Sequence, residues 1–219
     1  MYSIIVQDTV EENTSIHIEK EISSGTKNNL TPDEEYFYYL FLRRRVDMAI
    51  REVLQFGNPV LRAACIPIGA EGPGPHILTD LQDTLTHLQR IKGLGRGLAA
   101  PQIGYQTKAI YIHAPMWEGF LLNPEIVNRS GETFEVIDGC FSADLAFFGP
   151  VLRHRWVEVR YCDSRMAPCQ ERFNDDMSEL IQHEMDHLDG ILFIDRLSDP
   201  SRIVTFLEWQ RRYRVPGDP

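Results

Sequence analysis

Apolar residues recur at Ile77, Leu81, Leu85 and Leu88. This spacing predicts a helix that ends near Gly93. Further along, the period changes from helical to two. Val157, Val159 and Tyr161 alternate with Trp156, Glu158 and Arg160, as expected of a half-buried strand. Strand-like runs also occupy residues 108–113, 119–123 and 133–137. Near the N-terminus, residues 3–6 and 15–18 are short strand-like patches and 23–29 reads as a loop. Thr31, Pro32 and Glu34 then form a helix start, with an N-cap, a first-turn proline and a capping box. That helix carries an aromatic face (Tyr36, Phe37, Tyr39) and meets no breaker until Gly57, so it is expected to run to about Leu54. A polar helix is expected over residues 176–189, and a last one from Asp199-Pro200. Helices interspersed with clustered strands point to an α+β fold.

Composition leaves this picture intact. The 219 residues are 43% hydrophobic and 25% charged, which fits one globular domain with an appendage. The net charge of −10 argues against general nucleic-acid binding, so no DNA partner is expected, and against docking on anionic membrane. Arg211, Arg212 and Arg214 are either a weak ribosomal RNA contact or a solvated helix end. The cysteines Cys65, Cys140, Cys162 and Cys169 form no C-x-x-C, so reduced thiols are expected. The N-terminus has neither a secretory nor a mitochondrial pattern. The longest apolar run, 36–42, is far too short to span a bilayer. A cytoplasmic location is the resulting expectation.

Gln182-His183-Glu184-Met185-Asp186-His187-Leu188-Asp189-Gly190 changes the picture most, because it reads H-E-x-x-H. Residues four apart share a helix face, so His183 and His187 can address one divalent metal, with the Glu184 carboxylate beside it as a base. A catalytic site of this kind needs a third protein ligand. The metzincin pattern would place a histidine at 193, which is Phe193. A thermolysin-like arrangement would use Glu208, and a thiolate site would use Cys140, which directly follows a predicted strand. Spacing alone leaves both open. Gly95-Arg96-Gly97 lacks the third glycine and the Lys-Ser/Thr of a phosphate loop. Its glycines suit close backbone approach to a peptide added as a strand.

Three motifs, in order, resemble those of the peptide deformylase family. They are Gly95-Arg96-Gly97-Leu98-Ala99-Ala100-Pro101-Gln102, Asp138-Gly139-Cys140-Phe141-Ser142 and Gln182–Gly190. Asn58-Pro59-Val60-Leu61-Arg62, Leu122-Asn123-Pro124 and the run from Leu192 to Ser198 add to the likeness. It covers roughly residues 53–198 and implies an extension at 1–50, a catalytic domain at 51–198 and a C-terminal helix and tail at 199–219. It also implies a metal helix among three short antiparallel sheets. By the same resemblance Cys140, His183 and His187 hold one divalent metal, with Fe(II) the expected ion and Zn(II) or Ni(II) able to replace it. Glu184 is the general base and then acid. The Gln102 amide and the Phe141 N–H face the formyl oxygen of an N-formyl peptide. Gly95, Arg96, Gly97, Asp138, Gly139 and Asp176 lie along the substrate.

The chain departs from the family pattern near that substrate. Arg96 stands where a small aliphatic residue is usual, Asp138 where Glu is usual, Phe141 where Leu is usual, and Asp176 where an apolar residue is usual. Asp138 is expected to keep an ion pair with Arg153. The first functional expectation is removal of formyl from formyl-methionyl N-termini. The departures motivate a second, action on a non-methionine N-formyl amide. Two further readings are a thermolysin-like protease and an inactive deformylase-like binding protein.

Overall fold

The computed structural model describes residues 50–74 and 76–213. The strand patches, the loop and the Thr31 helix start expected before residue 50 lie outside the described residues, as does Arg214. Two antiparallel sheets and three α-helices make up the regular structure of the described residues. The strands are β1 (Gly97–Ala99), β2 (Ala109–Ala114), β3 (Trp117–Arg129), β4 (Thr133–Asp138), β5 (Phe147–His154), β6 (Trp156–Cys162), β7 (Pro168–Asn174) and β8 (Val204–Thr205). The helices are α1 (Ile77–Lys92), α2 (Asp175–Leu188) and α3 (Phe206–Arg212). One sheet has the order β1-β2-β3-β6-β7 and the other β4-β5-β8. The fold is thus α+β, with two sheets rather than three. The register between β3 and β6 is irregular, with shifts at Leu122/Glu125 and Ile126/Asn128.

Strand periodicity explains why β2 has no polar face. Ile110 and Ile112 belong to the cluster that includes Leu180, Ile181 and Leu188 of α2. Tyr111, one residue out of phase, belongs to the cluster that includes Leu81 and Leu85 of α1. Successive side chains point to opposite faces, so the strand is covered on both. In α1 the apolar stripe does what its spacing predicts: Leu81 and Leu85 are fully buried. Gly93 closes the helix in the left-handed conformation at φ 63°, where glycine carries no Cβ penalty. The alternation expected in β6 is present, with Val157, Val159 and Tyr161 buried.

Other expectations need correction. Residues 50–54 are not helical. The Leu54 N–H donates to the Gln102 carbonyl and the Phe56 N–H to the Ser142 carbonyl, both at 2.8 Å, so tertiary partners take the donors a helix would use. The last helix starts at Phe206 with Thr205 as N-cap, not at Asp199. Asp199-Pro200 opens a single 3-10 turn instead (Pro200–Arg202), because Val204 and Thr205 are drawn into pairing with Phe148 and Phe147. Strands β5 and β7, with the short β1 and β8, are the elements that periodicity did not reveal. Gly149-Pro150 interrupts β5, and β7 is a largely exposed edge strand. Among the described residues no helix is long and apolar enough to cross a membrane.

Candidate metal centre

Helix α2 carries ten buried residues in fourteen, and it is sequestered because it packs against the sheet. His183 and His187 sit one turn apart on it. Cys140 reaches them from the turn that follows β4. One donor atom from each of Cys140, His183 and His187 lies within 4.8 Å of the others, and all three residues are buried. Cys140 Sγ is 3.2 Å from His187 Nε2. Bonds of about 2.0–2.3 Å in a tetrahedral site place donors roughly 3.4–3.6 Å apart, so the cluster fits a divalent cation. One thiolate and two imidazoles suit a first-row transition metal. Glu208 is elsewhere. It pairs with Arg211 at 2.8 Å and Arg212 at 2.9 Å on α3, so it supplies no third ligand.

A buried ionic chain orients the cluster. Asp138 Oδ1 lies 2.9 Å from His183 Nδ1. With that nitrogen's proton engaged, Nε2 keeps its lone pair for a cation. Burial opposes a charged His183, but the facing Asp138 reverses this and raises its pKa well above the ordinary value. Burial and then His183 lower His187. Arg153 Nη2 donates to Asp138 Oδ2 at 2.9 Å, so the expected pair forms in spite of the shorter acid. Its Nη1 donates to Asp186 Oδ2 at 2.6 Å. Burial disfavours the Asp138 carboxylate, yet His183 and Arg153 together hold its pKa well below the usual range.

Three further residues lie beside the cluster. Gln102 Oε1 accepts the Ala99 N–H at 2.8 Å. This turns the amide nitrogen toward Cys140 Sγ at 3.5 Å and Ser142 Oγ at 3.3 Å. Phe141 opens a 3-10 turn capped by Cys140, a position whose N–H has no helical partner. Glu184 is 3% exposed and its Oε2 has no hydrogen-bond partner. Burial, uncompensated by a bond, pushes its pKa up to about 7. A Cβ on Gly97 would lie 2.6 Å from Glu184 Oε1, and one on Gly95 only 2.0 Å from the Phe141 ring. Both positions therefore need glycine for space, and Gly95 also for its φ of 95°.

A cavity of about 170 Å³ opens over these groups. The expected Gly95, Arg96, Gly97, Asp138 and Gly139 line it, whereas Asp176 does not. Asp176 is 75% exposed and touches the site only through Arg96. Glu179, Leu180 and Trp209 line the cavity as well, although no motif pointed to them. Glu179 and Leu180 precede His183 by one helical turn, a signal that was there to use. Trp209 had no such signal, since only the packing of α3 brings it near, stacked on Phe148 at 4.6 Å.

Known proteins resemble this chain in sequence and in fold. The chain is 34% identical over 170 residues to a peptide deformylase 2 from Nostoc sp., covering 72% of this chain and 92% of the relative. It is 34% identical over 153 residues to a peptide deformylase from Heliobacterium modesticaldum, covering 69% and 97%. Among solved structures, the Synechococcus elongatus peptide deformylase in complex with actinonin matches with a TM-score of 0.64 at 28% identity, over 70% of this chain and 81% of that one. The Thermotoga maritima peptide deformylase matches at 0.61 and 28%, over 68% and 99%. The family model for polypeptide deformylase matches residues 50–202. That span holds both sheets but for β8, the metal cluster, Glu184 and Gln102, and with it the chain belongs to the polypeptide deformylase family.

Proposed function

We propose that this enzyme removes the formyl group from N-formyl-methionyl polypeptides by metal-dependent hydrolysis and releases formate. The observation that carries the reading is the buried Cys140–His183–His187 cluster with Glu184 and the Gln102 amide on its open side. When bound, the divalent cation supplies Lewis acidity, lowering the pKa of a water toward neutrality and polarising the formyl carbonyl. We assign Fe(II) as the working ion. A thiolate donor with Fe(II) makes the site sensitive to oxygen.

The protein's own groups do the rest. Glu184 takes the proton of the attacking water and returns it to the leaving nitrogen. Gln102 Nε2 and the Phe141 N–H hold the formyl oxygen as negative charge grows on it. The substrate backbone adds to the edge strand β1. Arg96 C=O accepts from the His113 N–H at 2.8 Å and Leu98 pairs with Tyr111, so in the antiparallel pattern Gly97 turns its N–H and C=O to the free edge.

The decisive experiment is anaerobic purification, metal analysis and formate release from formyl-Met-Ala-Ser. Cys140→Ser is expected to lose both metal and activity, whereas Glu208→Gln keeps both. Retention of metal and activity by Cys140→Ser overturns the ligand assignment. A finer expectation concerns Gly97→Ala. The added methyl displaces the Glu184 carboxylate, and kcat/KM falls about a hundredfold, the effect of roughly 1 Å of misplacement. Steady-state kinetics that match the wild type would sink that explanation.

A further inference from the structure

The substrate cleft has two unlike walls. On one side stand Leu145, Phe148 and Trp209. On the other, Glu179 and Leu180 project from α2 one turn before His183, and Arg96 reaches over from between the two glycines beside β1. Arg96 Nη1 is 2.5 Å from Asp176 Oδ2, and Nη2 is 2.8 Å from Glu179 Oε2. The Glu179 side chain is 10% exposed, against 31% for Arg96 and 75% for Asp176. Glu179 is therefore the inner member of the trio, and one guanidinium serves two carboxylates.

Chemistry follows from that arrangement. With both acids ionised the trio carries one negative charge in excess. A carboxylate offers about four lone-pair sites, so Glu179 has acceptor capacity beyond its bond to Arg96. Phe141, a donor to the formyl oxygen, shares one apolar cluster with Leu145 and Phe148, with Trp209 packed against it, whereas Glu179 and Leu180 line the cavity from α2; this leaves the α2 side for the first side chain of a substrate paired with Gly97. A methionine thioether there donates no hydrogen bond. It would also strip water from Glu179 and Arg96 without replacing it, which is unfavourable.

We propose that Glu179, held by Arg96, forms a side-chain subsite that selects N-formyl substrates whose first residue ends in a nitrogen donor, ahead of formyl-methionine. This rests on the deformylase reading above: it keeps that chemistry, with formyl-methionine still hydrolysed, and shifts the preferred first residue to one with a nitrogen donor. Glu179 accepts from the substrate's ammonium or amide; burial and Asp138 raise its pKa while Arg96 opposes the rise, and Arg96 holds the carboxylate in place. An acidic first residue meets the excess negative charge and is the poorest substrate.

The test compares formyl-Lys-Ala-Ser, formyl-Gln-Ala-Ser, formyl-Met-Ala-Ser and formyl-Glu-Ala-Ser on the metal-loaded enzyme, with kcat and KM resolved. Calorimetric binding of the deformylated tripeptides gives a readout independent of turnover. The expected kcat/KM for the lysine and glutamine substrates exceeds that for methionine by about tenfold or more, mostly through KM. In Arg96→Val/Glu179→Ile both charges leave together, so no lone ion remains buried, and the order inverts in favour of methionine. Glu179→Gln keeps the shape and lowers the lysine preference first. Methionine as the best substrate of the wild type overturns the subsite and leaves the deformylase reading standing. No hydrolysis of any formyl peptide by metal-loaded enzyme overturns that reading and the subsite with it.

Discussion

Glu184→Gln lowers kcat/KM by about 10²–10⁴, the usual worth of a positioned general base, and leaves metal content and thermal stability at or above the wild-type level. The two halves have one origin. The wild-type carboxylate is 3% exposed with an unpartnered Oε2, so ionising it inside the protein is unfavourable and its pKa rises to about 7. Glutamine fills the same space without that charge, so folding loses nothing. Catalysis loses the group that takes and returns the proton. The pH profile separates this from a packing defect. Protonated Glu184 cannot act as a base, so wild-type kcat/KM falls as pH drops through its pKa. A bound cation beside the carboxylate favours the charged form, which places that limb below 7. In Glu184→Gln this limb is absent. A variant with wild-type activity, or one that keeps the same acid limb, would remove Glu184 from the proton path.

Arg153→Ala has the largest expected effect on stability. Arg153 is 3% exposed and joins Asp138 of β4 to Asp186 of α2. Truncating it leaves two carboxylates facing each other with less compensation. Breaking a buried pair in this way costs about 3–5 kcal/mol, which for a domain of this size lowers Tm by roughly 6–20 °C. Asp186 keeps Arg196 at 2.8 Å, and Asp138 keeps His183 at 2.9 Å, so the lower half of the range applies if the two acids draw apart. Because Asp138 also orients His183, metal affinity falls about 10–100-fold. Lysine at 153 presents a point charge, not a planar fork, and so recovers one contact at most. Urea unfolding with and without chelator reads both effects. A loss under 1 kcal/mol, with metal affinity unchanged, would show that the chain of charges is dispensable.

Local pattern made much of this legible. The stripe Ile77–Leu81–Leu85 located α1, because one face of a helix must be buried whatever it packs on. The alternation at Val157, Val159 and Tyr161 located β6 for the same reason. The i, i+4 spacing of His183 and His187 placed two imidazoles on one face before any fold was known, and the family motifs pointed to Cys140 and Gln102. Pattern failed where distant partners decided the outcome. Residues 50–54 looked like the end of a helix, but the Arg51 N–H donates to Thr84 Oγ1 and the Leu54 N–H to the Gln102 carbonyl. Asp199-Pro200 looked like a helix start, but pairing with β5 delays α3 to Phe206.

By itself, then, the sequence determined the H-E-x-x-H helix with its two histidines on one face, the α+β class and the family. All of these depend on residue types at short, regular spacings. Only the tertiary structure decided which acid faces the cleft. Asp176 and Glu179 lie three residues apart on one helix, and both bind Arg96, yet the first is exposed to water and the second is enclosed in the cavity wall. It also decided that Asp186 completes the Arg153 bridge and that Trp209 walls the cavity. Burial and the pairing of charges come from segments far apart in the chain meeting in space, and no local period carries that information.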